Sequence, residues 1–335
     1  MSTESSGTAK DFSEHAVTPS AMVVHDPTAF GAFDALDGIA DGNALLRASL
    51  FRERPDVGAL ARQHAAFVSV LNEHTRVLRV ADLLGKAGLT AHREKLERNP
   101  NHVFTHDALI TLPWAPEAAI LGNMREPLRR EEPMVLEEVA RALGLREIVR
   151  LPAGVFLEGG DVIPLCIAEK RTLLVGFGPR TSEEALPVLI ELLGERGWVD
   201  EVIGVKLAAW RLNVDGCFFP VSDDTVVAHL ESVEGGVHWT AEGPRPIDPA
   251  THFRNLGFEI VEAAREESYG QQACNFVCLG GKRLVAYKMT ERINDALRER
   301  GFDVIGVDGS ELVKGNGGPH CMTRPVYSRV EGRAE

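Results

Sequence analysis

Gly315-Asn316-Gly317-Gly318-Pro319-His320-Cys321-Met322-Thr323, near the end of the chain, places a cysteine behind a glycine-rich turn. Glycines permit a sharp chain reversal and close approach of backbone to a ligand, which suits a stretch that aims a thiol into a pocket. Three acids lie upstream: Asp107 in Phe104-Thr105-His106-Asp107, Asp161 in Glu158-Gly159-Gly160-Asp161, and Asp215 in Asn213-Val214-Asp215-Gly216. With Asn275 and Cys321 they form a series whose steps are 54, 54, 60 and 46 residues. At each marker a polar residue stands where a loop becomes a strand, and an apolar strand and a helix follow. That is an internal repeat, and such units bury their cores against their neighbours. If the units close into a ring, the polar residues converge at one end of its axis. A cysteine nucleophile among carboxylates suits a cationic electrophile, and a guanidinium fits best.

The periodicity between the markers fills in the units. Apolar spacing predicts helices over residues 57–74, 131–144, 182–194 and 290–300, with Gly144 and Gly301 as stops. Thr181-Ser182-Glu183-Glu184 reads as a capping box with Thr181 as the cap, and Pro187 should kink or loosen the helix that follows. Short apolar strands are expected at residues 22–25, 76–80, 146–151, 199–205 and 302–307.

The chain has 335 residues, 44% hydrophobic and 25% charged, the composition of a soluble globular protein. No apolar run long enough to span a membrane occurs. A net charge of -13 argues against nucleic acid as partner. Residues 1–21, rich in Ser, Thr and charge, read as a disordered leader. Residues 22–329 read as one α/β catalytic domain and 330–335 as a tail. Five cysteines, an odd number in a long chain, point to a reducing compartment, the cytoplasm. Cys274 and Cys278 lack a second pair at zinc spacing and read as buried core thiols, so no metal and no cofactor is expected.

Taken in order, these motifs resemble those of the arginine deiminases and their relatives in the guanidino-modifying, or pentein, superfamily. Phe104-Thr105-His106-Asp107 is similar to Phe-Thr-Arg-Asp, and Glu158-Gly159-Gly160-Asp161 matches Glu-Gly-Gly-Asp. Gly178-Pro179-Arg180-Thr181 is similar to Ser-Glu-Arg-Thr, Asn213-Val214-Asp215-Gly216 to His-Leu-Asp-Gly, and Gly317-Gly318-Pro319-His320-Cys321-Met322 to Gly-Gly-Pro-Arg-Cys-Met. The resemblance covers residues 20 to 329 and implies a five-bladed α/β-propeller of ββαβ units. It implies a hydrolase of the guanidino group of an arginine-like small molecule. Cys321 would be the nucleophile, Asp107 and Asp215 the grips on guanidinium nitrogens, and Glu158 a neighbour of the reacting centre. Asp161 would support the Glu158 loop, and Arg180 and Arg129 would bind a substrate carboxylate.

One departure bears on the chemistry. The family carries a proton-shuttling His where this chain has Asn213, and an amide neither donates nor accepts that proton. Three accounts stay open: His106 or His320 takes the role, the chain binds or forms an adduct without turnover, or Asn213 is an introduced change that traps an intermediate. An amidinotransferase and a catalytically silent guanidino-binding protein are the alternatives to a hydrolase. A homo-oligomer stays open as well.

Overall fold

The computed structural model describes residues 12–328 and contains five sheets with a shared signature. In each, an antiparallel pair is extended by a third strand lying parallel to its middle member. The first strand of the chain, β1 (Ala21–Val24), runs parallel to β2 (Arg76–Arg79), with the helix Val57–Asn72 between them. The second unit is β3 (Leu109–Leu112), β4 (Ala115–Leu121), the helix Glu132–Ala142 and β5 (Glu147–Arg150). The third is β6 (Val162–Ile167), β7 (Lys170–Phe177), the helix Ala185–Gly194 and β8 (Glu201–Leu207). In the fourth, β9 (Phe218–Pro220) and β10 (Thr225–Ala228) are followed by the hairpin β11 (Val233–Thr240) and β12 (Gly243–Ile247). The helix Pro249–Asn255 and β13 (Glu259–Glu262) complete it. The fifth is β14 (Val277–Cys278), β15 (Arg283–Tyr287), the helix Glu291–Glu299 and β16 (Asp303–Val307). The last strand, β17 (Arg324–Val326), pairs antiparallel with β1, so the two ends of the chain complete one sheet.

The packing follows from the sequence. Strands β6 and β10 are buried at every residue, which explains why they read as unbroken apolar runs rather than alternating ones. The helix Val57–Asn72 buries Leu60, His64, Phe67, Val68 and Leu71, one stripe of a 3.6-residue period. Four apolar clusters link the units. One joins the first unit to the second, one the second to the third, one the fifth to the first, and the largest runs through the third, fourth and fifth.

Several expectations need correction. The hairpin β11–β12 was not read from the sequence. It joins the edge of the third sheet through β8 and lengthens the step from Asp215 to Asn275. The helix Val80–Arg98, broken at Gly85 (φ 61°), was also missed. The capping box is not one. The helix starts at Ala185, which places Pro187 in its first turn, where no intrahelical hydrogen bond is lost. Residues 12–21 are no loose leader: Ser13, Glu14 and His15 are buried. Glu14 N–H donates to Pro164 O, Ser13 Oγ accepts from Cys166 N–H, and Thr18 Oγ donates to Leu279 O. The segment thus straps the third unit to the fifth. The remaining parts of the expected leader and tail lie outside the described residues.

Met22 sits in the middle of β1, 1% exposed, between β17 and β2. Met22→Ala should therefore cost about 2–5 kcal/mol in a urea titration. A loss below about 1 kcal/mol would show that this terminal sheet is not closed on the core.

Candidate functional site

Short helical turns, not strand ends, carry the three acids. Asp107 lies in the turn Thr105–Ala108, Asp161 in Gly159–Asp161 and Asp215 in Val214–Gly216, each just ahead of its unit's first strand. The same place in the fifth unit is held by Asn275, and in the terminal unit by Cys321. The turn before Cys321 is built differently from its sequence reading. The residue in the left-handed region is Asn316 (φ 65°). Gly317 and Gly318 are glycines for lack of space: a Cβ at the first would collide with Phe104, and at the second with the Asn275 side chain.

Asn275 then grips the cysteine twice. Its Nδ2 donates to Cys321 Sγ at 3.2 Å, and its Oδ1 accepts from Cys321 N–H at 3.2 Å. The thiol donates to Asp215 Oδ2 at 3.3 Å, so the two residues expected to meet at a ligand are in direct contact. Behind Asp215 the chain of contacts continues: His320 Nδ1 is 2.9 Å from Asp215 Oδ2, and His320 Nε2 is 2.8 Å from Glu14 Oε1. Burial alone would lower the His320 pKa, but Glu14 and Asp215 outweigh it and raise it to about 9. This imidazolium places a positive charge behind Asp215. Burial, reinforced by the Asp215 and Asp107 carboxylates, pushes the Cys321 thiol well above the ordinary thiol range, so it is held protonated.

Glu158 and Asp161 organise the next group. Glu158 is fully buried and accepts from Arg180 Nη1 at 3.1 Å and from Asn213 Nδ2 at 3.1 Å. Asp161 accepts from Asn213 Nδ2 at 3.1 Å, Thr181 Oγ at 2.7 Å and Val214 N–H at 2.8 Å, ties that join three loops. Thr181, misread as a helix cap, serves this group, and its Oγ also accepts from Glu158 N–H. Asn213 is therefore a tie between two carboxylates.

Asp107 already holds a guanidinium, that of Arg129. Arg129 Nη1 donates to Asp107 Oδ2 at 2.8 Å, and its other nitrogens donate to both oxygens of Glu132 at 2.9 and 2.7 Å. Burial would depress the Arg129 pKa, but Glu132, Asp107 and Glu158 outweigh it and keep the charge. Arg129 is thus paired with carboxylates inside the protein, and Arg180 is paired with Glu158 through Nη1. Asp107 Oδ1 accepts from Gly160 N–H at 2.9 Å, which couples the Asp107 and Glu158 groups.

His106 and His320 stack with ring centroids 3.7 Å apart. His106 is buried, its Nδ1 lies 2.6 Å from Thr323 O, and burial drives its pKa well down. Glu14, His106 and His320 offer ligand atoms within 4.8 Å of one another. Both His320 nitrogens are already engaged by carboxylates, and the buried Arg324 brings to Glu14 the positive charge that a cation would supply. Cys274 and Cys278 are free, buried thiols.

Above Cys321 lies a void of about 20 Å³, lined by Arg211, Asn213, Asp215, Tyr269 and Gln272 among others. It has room for about one water, so a larger ligand fills it only after the lining moves. Sequence reasoning missed Glu14, Arg211 and Glu132. Asn275 was visible as a repeat marker, but Glu14 sits in a stretch whose composition hides it.

A model of the arginine deiminase family matches residues 89–328. An uncharacterized protein of Bacillus subtilis, YkgA, is 25% identical over 79% of each chain. The arginine deiminase of Bacillus cytotoxicus is 26% identical over 70% of this chain and 63% of its own, so this chain spans under two thirds of that relative. Among solved structures, unliganded AgrE superposes with a TM-score of 0.68 at 19% identity, covering 93% of this chain and 40% of AgrE. DDAH from Pseudomonas aeruginosa, complexed with citrulline, superposes with a TM-score of 0.66 at 19% identity over 92% of this chain and all of its own. These two show a shared mixed α/β fold. Among the described residues no helix is long and apolar enough to cross a membrane.

Two expectations follow from the charges at the site. Alkylation of Cys321 should rise with pH only above the ordinary thiol value of about 8.5, and Asp215→Asn should shift that rise to lower pH. A wild-type inflection at or below that value would contradict the account. The His320 pKa is raised from 6.5 to about 9, so its contribution to stability is fully present below pH 6.5 and lost as pH rises through about 9. Glu14→Gln removes one source of the rise. The stability gap between wild type and this variant should therefore shrink from pH 6 to about pH 9.5 in denaturant titrations.

Proposed function

Because the chain belongs to the arginine deiminase family, we propose that it is a cysteine-dependent hydrolase of the guanidino group of arginine or an arginine-like small molecule. The observation that carries this reading is the contact of the Cys321 thiol with Asp215 at 3.3 Å, at the edge of a void. A thiol placed for packing alone has no need of a carboxylate on one side and an amide clamp on the other. The deiminase family and its pentein fold support a reading of the five sheets as a closed five-bladed α/β-propeller of ββαβ units. The apolar clusters that link successive units agree with it.

The chemistry follows from the charges. A guanidinium entering beside Asp215 brings a positive charge to the carboxylates that hold the thiol protonated. Substrate binding thus favours ionisation of the thiol where it is needed. The sulfur adds to the central carbon, the C–N bond breaks, and ammonia leaves with the thiol proton, giving a cationic thiouronium on Cys321. Water then adds to the same carbon and the C–S bond breaks. The ureido product and the free thiol form, and the released proton converts ammonia to ammonium. The resemblance assigns Glu158, which accepts from Asn213, to the neighbourhood of the reacting centre.

Asn213 favours a second reading, a protein that binds guanidino compounds and stalls at the adduct, since the amide carries no proton. If that is the whole deficit, Asn213→His should raise turnover, by up to roughly 10²–10⁴-fold. Release of ammonia or a methylamine, together with the ureido product, from arginine, agmatine and methylated arginines measures this. A fall in activity would mean that the tie from Asn213 to Glu158 and Asp161 outweighs the gain. Cys321→Ala should abolish release while leaving the melting temperature within a few degrees of wild type, and full activity in that variant would refute Cys321 as the nucleophile.

A further inference from the structure

Glu14 is buried in the N-terminal strap, and the strap is held without its side chain. Glu14 N–H donates to Pro164 O at 2.9 Å, Ser13 Oγ accepts from Cys166 N–H at 2.8 Å, and His15 Nε2 lies 3.0 Å from Asp223 Oδ1. The Glu14 carboxylate points elsewhere. Its Oε1 is 2.8 Å from His320 Nε2, and its Oε2 is buried without a hydrogen-bond partner. A buried ion pair is a weak source of stability, because removing both charges from water costs about as much as their attraction returns. The position of Glu14 therefore calls for a reason other than anchoring the strap.

That reason lies at His320. Its Nε2 faces Glu14 and its Nδ1 faces Asp215 Oδ2 at 2.9 Å, while the His106 ring at 3.7 Å and the edge of Phe219 at 4.9 Å fix the plane between them. An ionised carboxylate only accepts, so each nitrogen carries a hydrogen and the ring is a cation. The Asp215 oxygen that takes Nδ1–H also takes the Cys321 thiol at 3.3 Å, so the imidazolium stands one atom behind the sulfur's partner. Among the other titratable groups that face the pair, His15, His106, Cys278, Cys321, Arg324 and Tyr327, none is a carboxylate. An imidazole keeps its second proton only as its neighbours dictate. Once it is lost, Asp215 faces the sulfur uncompensated, and a thiolate beside it is disfavoured. We propose that Glu14 is a positioning residue of the reaction: it holds the second proton on His320 and so sets the upper end of the pH range in which Cys321 reacts. Its effect on turnover rests on the hydrolase reading above.

The test follows kcat from about pH 6 to about pH 10 for wild type, Glu14→Gln and Glu14→Asp, with whichever guanidino compound wild type hydrolyses. The wild-type alkaline limb should fall near pH 9, where His320 gives up its second proton. In Glu14→Gln the limb should move down by about two pH units, toward the ordinary histidine value of about 6.5. Its kcat should then be within about 3-fold of wild type at pH 6 and about 10- to 100-fold lower at pH 8.5. Glu14→Asp, which keeps the charge, should lie between. A limb that stays in place in Glu14→Gln overturns the proposal. So does an equal loss at every pH, the outcome of a strap that serves the fold alone.

The charge on His320 is read without turnover by nitrogen NMR of protein labelled at histidine. At about pH 7.5 wild-type His320 should show two protonated nitrogens and Glu14→Gln only one. A neutral His320 in wild type overturns the proposal even if neither variant folds. If wild type hydrolyses no guanidino compound, the hydrolase reading falls, and Glu14 is judged on this charge and on alkylation of Cys321 by neutral iodoacetamide. The alkylation rate at pH 8.5 should drop about 3- to 10-fold in Glu14→Gln, since loss of the nearby cation leaves less thiolate. An unchanged rate overturns the proposal.

Discussion

A protonated thiol lies against a carboxylate inside the protein, and the rest of the site is arranged around that contact. Cys321 meets Asp215, Asp215 meets His320, and His320 meets Glu14. Isolated carboxylates at this depth would be neutralised rather than tolerated. Most are matched by a buried cation, with His320 between Glu14 and Asp215, Arg129 between Asp107 and Glu132, and Arg180 on Glu158, while Asp161 is held by neutral donors. The pairing sets acids and cations side by side at the place where a cationic substrate would arrive. Arg211 and Arg324 stand outside this pairing, neither making an ion pair among the described residues.

The repeated fold makes the arrangement affordable. Each unit places one polar residue in the turn before its first strand, and neighbouring units share apolar clusters that fix those turns relative to one another. The N-terminal strap adds the one charge that no unit supplies. Glu14 reaches His320 from a segment stitched to β6 and to Leu279 just after β14, so the charge behind the nucleophile depends on a stretch far from it in sequence.

Much of this was legible because repetition is a one-dimensional signal. Equal steps between Asp107, Asp161 and Asp215 survive in any composition, and they led to the turns that hold the acids. The same series pointed to Cys321 and Asp215 facing one cavity, while their direct contact was visible only in the fold. What was not legible is what depends on partners distant in the chain. Thr181 has the local pattern of a helix cap, and only the fold shows its hydroxyl turned toward Asp161. Arg129 and Arg180 look like free cations until Glu132 and Glu158 are seen beside them. The glycines before Cys321 looked like hinge residues, yet it is Asn316 that adopts the positive φ, while Gly317 and Gly318 make room for Phe104 and Asn275. Glu14 carried no signal, because a polar, Ser- and Thr-rich stretch reads as solvated whether or not some of its residues are buried.

The central claim is that the Cys321 sulfur attacks a guanidinium carbon. The most direct measurement is intact-protein mass spectrometry after acid quench of the protein mixed with excess arginine, followed by peptide mapping. The account predicts a transient or lasting increase equal to arginine less ammonia, confined to the peptide containing Cys321 and absent in Cys321→Ala. Release of citrulline and ammonia by Cys321→Ala, or an adduct on any other residue, would contradict it.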